Sequence, residues 1–138
     1  MPGLCSGVGH WLGSVSESWL NWEGHMSESH CVVLTTINDA DEAEILARML
    51  LDERLAACVQ IVGPTRSIFL WEGNLHKERE WQCWIKTSTD RLDALIEHLK
   101  KTHDYDEPEI IALPIVGGSA DYLSWLTKET RPVSVDPV

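Results

Sequence analysis

The sequence has few positive charges, with 11 Lys and Arg against 22 Asp and Glu in 138 residues and a formal net charge of −11. A surface of this sign repels the phosphates of nucleic acids and the anionic headgroups of lipids. The chain also lacks the run of about 20 apolar residues that a membrane-spanning helix needs. We therefore expect neither nucleic-acid nor membrane partners.

Closely spaced cysteines are missing as well. Cys5, Cys31, Cys58 and Cys83 are far apart and none belongs to a CxxC pair, which excludes a zinc ribbon and a thioredoxin-like site. The last three lie in apolar, strand-like runs, so we expect buried and reduced thiols. Residues 1–29 contain neither Lys or Arg nor a long apolar run, so we do not expect them to form a secretory signal. These features together predict a cytoplasmic protein.

Motifs of the common nucleotide-binding and hydrolytic enzymes are absent too. The sequence contains no P-loop, GxGxxG, GxSxG or HExxH motif, and it lacks the basic aromatic strands of an RNA-recognition motif. Catalysis with His103 and Glu109 as acid and base is the alternative, but no nucleophile or oxyanion-stabilising group accompanies them. We therefore predict a binding protein that is not an enzyme.

Three segments of the chain differ in composition. Residues 1–29 are rich in Gly, Ser and Trp without periodicity, and are either a leader preceding a natural start at Met26 or a genuine extension. Residues 30–130 carry the regular apolar patterns of one folded domain. Residues 131–138 form a tail, in which residues 131–133 are a candidate short edge strand.

The first half of the domain predicts a strand, a helix and a long bent strand. Residues 31–34 are apolar and β-branched, which favours a buried strand. Residues 57–71 are typical of a second strand, which Gly63-Pro64 bends. Between the strands, Asp39 caps a helix whose apolar residues recur at helical spacing on one face, namely Ala43, Leu46, Ala47, Leu50 and Leu51.

The second half of the domain begins with a tight turn at residues 72–74. This turn joins the long strand to a return strand that ends near Thr87, so the two strands make a hairpin. Thr89 caps a second amphipathic helix. Residues 109–115 then predict a strand, and Ser119 caps a short final helix.

The order strand, helix, strand, strand, helix, strand, with one helix appended, predicts an α+β, ferredoxin-like fold. In this split βαβ sandwich, two helices pack on one face of an antiparallel sheet. The hairpin carries tryptophans on both faces, so we expect it to lie between two layers or in a subunit interface. The fold itself hosts many functions and does not select one.

The most polar segment is the loop at residues 103–109, where His103 is followed by carboxylates at positions 104, 106, 107 and 109. Loops that concentrate such side chains often carry function. Two interpretations stand: a ligand site, or a solvated connector whose Tyr105 packs on the core. Lys86, a lone cation on an aromatic strand face, is either paired with a carboxylate or an anion-binding group.

Five short motifs occur in series along the domain. They are RLAACV at residues 54–59, IFLWEG at 68–73, IKT at 85–87, HDY at 103–105 followed by PEI at 108–110, and YLSWL at 122–126. In order and spacing they resemble the CutA family of divalent-cation tolerance proteins. The resemblance covers about residues 30 to 130.

The resemblance implies a tight homotrimer, in which the hairpins of neighbours join about a threefold axis as in PII signalling proteins. It also implies copper binding by a first-strand cysteine and by histidines before the tyrosine loop. Here Thr35 and Thr102 stand at two of those positions and Asp104 replaces a proline, which leaves His103. One imidazole among carboxylates suits weak binding of Cu²⁺ or another divalent cation, with no cofactor required.

The sequence therefore predicts a trimeric, cytoplasmic binding protein of the divalent-cation tolerance type. Its predicted ligand cleft lies between subunits and comprises Trp71, Lys86, Tyr105 and Glu109, with His103 as the metal ligand. The alternative is a PII-like signalling module whose cleft binds a small anionic ligand through Lys86.

Overall fold

The computed structural model describes residues 28–133, which form one sheet and three α-helices. The first elements are β1 (His30–Ile37), α1 (Ala40–Asp52), β2 (Cys58–Trp71) and β3 (Asn74–Ser88). A 3₁₀ turn (Thr89–Arg91), α2 (Leu92–Thr102), β4 (Ile111–Pro114) and α3 (Ala120–Glu129) follow. The antiparallel sheet has the strand order β2-β3-β1-β4. This βαββαβ order with an appended helix confirms the predicted fold class.

The core lies between the sheet and helices α1 and α2. Alternate residues of β1, beginning at Cys31 and ending at Ile37, are buried, while the residues between them are partly covered. Because successive strand residues point to opposite faces, this pattern identifies the face that the helices cover. The helices contribute their apolar stripes to the same cluster, including Leu46, Leu50, Leu95 and Leu99.

Helix α3 packs at one end of the opposite sheet face. His30 and Ser88 form a cross-strand pair, and Ser88 is buried. The His30 Nε2 atom lies 2.7 Å from the Thr127 hydroxyl, and the hydroxyls of Ser88 and Thr130 are in contact. Leu126 of α3 is fully buried as well.

The long hairpin contains a β-bulge at the predicted bend. Val62 pairs with Gln82 and Thr65 pairs with Glu80, so Gly63 and Pro64 together lie opposite Trp81. The bulge shifts β2 by one residue relative to β3. A Cβ atom on Gly63 would overlap the indole ring of Trp81, which explains why glycine occupies this position.

Several predicted boundaries differ from the structure. Thr89 begins the short 3₁₀ turn instead of capping α2 directly, and β4 is shorter than the predicted strand because only Ile111–Pro114 pairs with β1. Residues 131–133 do not form a strand. Cys58 is half-buried, because its strand lies at the sheet edge, whereas Cys31 and Cys83 are buried as predicted.

The predicted leader at residues 1–29 falls largely outside the described residues, as do Cys5 and most of the tail. Within residues 28–133, no helix is both long and apolar enough to span a membrane.

Candidate functional site

The candidate site is a pocket beside the β2–β3 hairpin, where β1 ends and the hairpin extends beyond it. The last cross-strand pair of β1 joins Ile37 to Trp81, and the loop that follows α2 fills the space beyond it. The pocket has a volume of about 410 Å³. We call it the acidic pocket, and its lining consists of Asn38, Phe69, Trp71, His76, Glu78, Glu80, Asp104, Tyr105, Asp106 and Glu107.

Aromatic rings form the walls of the acidic pocket. Phe69 and His76 are directly opposite each other in the hairpin, and their rings stack with centroids 5.5 Å apart and planes 13° apart. Trp71 lies next to Phe69 on the same strand face and keeps 40% of its surface exposed. Tyr105 forms the wall on the loop side.

A buried carboxylate and a tyrosine join the loop to the hairpin. The Tyr105 hydroxyl donates a hydrogen bond of 2.8 Å to Glu80 Oε2, and Glu80 is only 5% exposed. Burial and the hydrogen bond to Glu80 raise the pKa of Tyr105 far above its usual range. Tyr105 is therefore a neutral donor at physiological pH, and this contact fixes one side of the pocket.

His103 positions the same loop through both of its ring nitrogens. Nε2 lies 2.8 Å from the carbonyl oxygen of Thr36 and must donate its hydrogen. Nδ1 accepts a 3.1 Å hydrogen bond from the backbone N–H of Tyr105. A metal ion bound at Nδ1 would displace this N–H, so in this arrangement His103 orders the loop and offers no free nitrogen.

The electrostatics of the acidic pocket favour positive charge. Four of its five carboxylates are exposed, all five come from the hairpin and the loop, and its lining contains neither Lys nor Arg. Carboxylates suit hard divalent cations, and the imidazole of His76 adds one borderline ligand. No group of three or more His, Cys, Asp or Glu side chains within residues 28–133 has the arrangement of a preformed metal site.

The structure brings together only part of the predicted cleft. Trp71 and Tyr105 line the acidic pocket, and His103 lies next to Tyr105 with ring centroids 4.6 Å apart. Glu109 instead lines a separate depression of about 300 Å³. Lys86 lies far along β3, where its Nζ donates a 2.6 Å hydrogen bond to Gln60. A cleft that unites these residues between subunits stays a prediction.

His76, Glu78 and Glu80 are not among the site residues predicted from the sequence. They occupy alternate positions on β3, and the register from the turn places His76 opposite Phe69. Pairing the two strands residue by residue from the turn places these three side chains on the face of Phe69 and Trp71. The bulge lies beyond the last of these pairs and does not disturb them. The position of the turn in the sequence is therefore the signal that could have identified these residues.

Comparison with known proteins gives a family match over nearly the whole described region. A family model described as "CutA1 divalent ion tolerance protein" matches residues 31–129. A Pectobacterium atrosepticum relative, "Divalent-cation tolerance protein CutA", is 46% identical over 100 residues, which are 72% of this chain and 91% of the relative. "Protein CutA 1, chloroplastic" of Oryza sativa subsp. japonica is 46% identical over 72% of this chain and 56% of that relative.

Solved structures show the same fold. The crystal structure of CutA1 from Oryza sativa has a TM-score of 0.73 and 44% identity, and the match covers 75% of this chain and 95% of that chain. The divalent cation tolerance protein from Thermus thermophilus has a TM-score of 0.72 and 41% identity, with 74% of this chain and 99% of that chain covered.

Proposed function

Since this chain belongs to the CutA family of divalent-cation tolerance proteins, we propose that it is a trimeric binding protein that holds a divalent cation weakly. The cation, Cu²⁺ or another divalent ion, would occupy the acidic pocket. No catalytic step is part of this proposal.

One observation supports the position of the cation: the acidic pocket gathers five carboxylates and no Lys or Arg. Negative potential in a concave site raises the local concentration of cations. Glu80 is the one buried carboxylate of the five, so its charge is the least screened by water.

Weak affinity follows from the ligands that the pocket offers. Strong transition-metal sites combine several imidazoles or thiolates, and the pocket lining provides one imidazole, His76, and no thiol. Carboxylates on an exposed loop must lose mobility to coordinate an ion. We therefore expect dissociation constants in about the micromolar range or weaker.

The proposed trimer is supported by the surface of the hairpin. Ile68, Leu70 and Leu75 near its tip are 63%, 72% and 72% exposed in the single chain. Apolar side chains grouped in this way mark a contact surface. We also propose a cytoplasmic location, which is supported by the free thiols of Cys31, Cys58 and Cys83.

Calorimetric titration of Cu²⁺ or Zn²⁺ into the full chain tests the proposed site. The variant Glu78→Gln with Asp104→Asn removes two pocket charges and should weaken binding by about tenfold or more. The matched control, Asp52→Asn with Asp121→Asn, removes two exposed charges elsewhere and should bind like the wild type. Equal affinity of the two double variants would contradict the proposal.

The imidazole that contacts the ion can be identified separately. Substoichiometric Cu²⁺ broadens the NMR signals of nearby nuclei, so we expect loss of the His76 ring signals before those of His103. Broadening centred on His103 and the Tyr105 amide would instead place the ion where the sequence predicts it.

A further inference from the structure

The other face of the distal hairpin carries a cluster of positive charges. Arg66 and Arg79 form a direct cross-strand pair, and Lys77 lies two residues from Arg79 on the same strand face. Together with Pro64, Thr65 and Glu78 they line a depression of about 430 Å³. We call this the basic depression.

These three cations have no ion-pair partner within residues 28–133. The cations Arg48, Arg54, Lys101 and Arg131 each pair with a carboxylate of the chain. Like charges directly opposite each other across two strands are destabilising. In a chain with twice as many acidic as basic residues, three cations that share a depression with a single carboxylate, Glu78, leave a net positive charge there that attracts anions.

The geometry of Arg79 favours an oxyanion as the attracted anion. Its Cζ lies 5.2 Å from the centroid of the Trp81 ring, so stacking on the indole limits the motion of the guanidinium. Guanidinium groups present a planar set of donors that matches carboxylate and phosphate oxygens. Lys77 adds a compact charge beside it.

We propose that the basic depression binds a small oxyanion with two or more negative charges, such as a pyrophosphate or a polycarboxylate. Its volume lies within the range of about 300 to 1,000 Å³ that small-molecule sites occupy. This inference goes beyond the proposed cation binding and does not depend on it, because Arg66, Lys77 and Arg79 line only the basic depression, although Glu78 borders both.

Titration of sodium pyrophosphate and sodium citrate into the full chain, at constant ionic strength, tests the proposal. We expect saturable binding that Arg66→Gln with Arg79→Gln weakens by about tenfold or more. The matched control, Lys100→Gln with Lys128→Gln, removes two exposed charges that also lack ion pairs within the described part of the chain. It should bind within about twofold of the wild type.

Light scattering on the same samples separates a small ligand from a second copy of the chain. Under the proposal, the Arg66→Gln and Arg79→Gln variant keeps the molar mass of the wild type. Absence of saturable binding to the wild type, or equal binding by both double variants, would overturn the proposal. It would also be overturned if binding were lost only together with assembly, because the cluster would then pair with carboxylates of another copy.

Discussion

At the scale of single residues, three hydrogen bonds hold the loop that completes the acidic pocket. His103 contributes two of them, to Thr36 and from Tyr105, and the Tyr105 hydroxyl contributes the third, to Glu80. The loop residues between Asp104 and Glu107 are otherwise largely exposed. The pocket therefore depends on a few anchored side chains.

His103→Ala removes two of these bonds and leaves the Thr36 carbonyl without its partner. Each lost bond costs about 1 kcal/mol, so we expect a destabilisation of about 1 to 3 kcal/mol. Thermal unfolding at fixed protein concentration measures the effect. His76→Ala is the matched control and should cost about 1 kcal/mol or less, since it loses one half-exposed ring stack. Equal losses would show that His103 does not anchor the loop.

The buried thiol of Cys83 should make the fold less stable at alkaline pH. Burial raises the pKa of its thiol to about 11, whereas cysteine in an unfolded chain titrates near about 8.5. Between these values the folded chain keeps a proton that the unfolded chain releases. This contribution to the free energy of unfolding is fully present below about pH 8.5 and is lost as the pH rises towards about 11.

From this thiol alone, we expect the free energy of unfolding to fall by about 3 kcal/mol from about pH 8 to pH 11. Urea unfolding at fixed protein concentration measures the change. Cys83→Ala should lose correspondingly less stability over the same interval, although its stability at pH 8 is lower. A pH dependence identical to that of the wild type would contradict this assignment.

At the scale of elements, helices α1 and α3 both begin after a polar N-cap residue but differ in the capping hydrogen bonds that this residue makes. The Asp39 carboxylate accepts hydrogen bonds of 2.9 Å from the backbone N–H groups of both Asp41 and Glu42. Ser119 occupies the same position before α3, but its side chain makes no capping hydrogen bond. The start of α1 is therefore stabilised by its cap, and the start of α3 is not.

We expect Asp39→Ala to destabilise the fold by about 1 kcal/mol. Ser119→Ala should destabilise it by only about a few tenths of a kcal/mol. Urea unfolding of both variants beside the wild type measures the difference. A larger effect at Ser119 would mean that its hydroxyl caps α3 in solution.

The element order could be predicted from the sequence because burial follows simple periodicities. Asp39 and the apolar stripe of α1 define that helix, and the alternation in β3 defines the return strand. The limits of β4 depend on which residues face β1, a long-range contact that local patterns do not contain. For the same reason, sequence identified the polar loop but not its contact with Glu80.

His103 shows a different limit of sequence reasoning. An imidazole beside carboxylates is the right chemical type for a metal ligand. Its hydrogen-bond partners, however, lie at Thr36 and Tyr105, and only the folded chain shows that both ring nitrogens are engaged. Residue type predicted the region of the site, and geometry determines which atoms are available.

At the scale of the whole molecule, the isolated chain leaves much apolar surface uncovered on its hairpin and on β4. Ile68, Leu70, Leu75, Ile111 and Leu113 are all more than 40% exposed. Both edge strands of the sheet, β2 and β4, also keep one side without a strand partner among the described residues. Association with other chains can pair the free backbone groups of such edge strands and bury apolar side chains of this kind.

We therefore predict a homotrimer, for which light scattering coupled to gel filtration should give about three chain masses. Leu70→Lys with Leu75→Lys places charges on the hairpin tip and should shift the assembly towards smaller species. Ile45→Lys, on the exposed face of α1, is the control and should leave the mass unchanged. A wild-type monomer at micromolar concentration would contradict the prediction.

The bulge at Gly63 and Pro64 joins two halves of the hairpin whose pairing registers differ by one residue. Beyond it, Phe69 pairs with His76 and Arg66 pairs with Arg79, so aromatic and acidic groups are separated from basic ones. Deleting one bulge residue would make the two registers continuous and leave these distal pairs unchanged, because their register is fixed from the turn. In evolutionary terms, the bulge is the position at which β2 can gain or lose a single residue without re-pairing the distal hairpin.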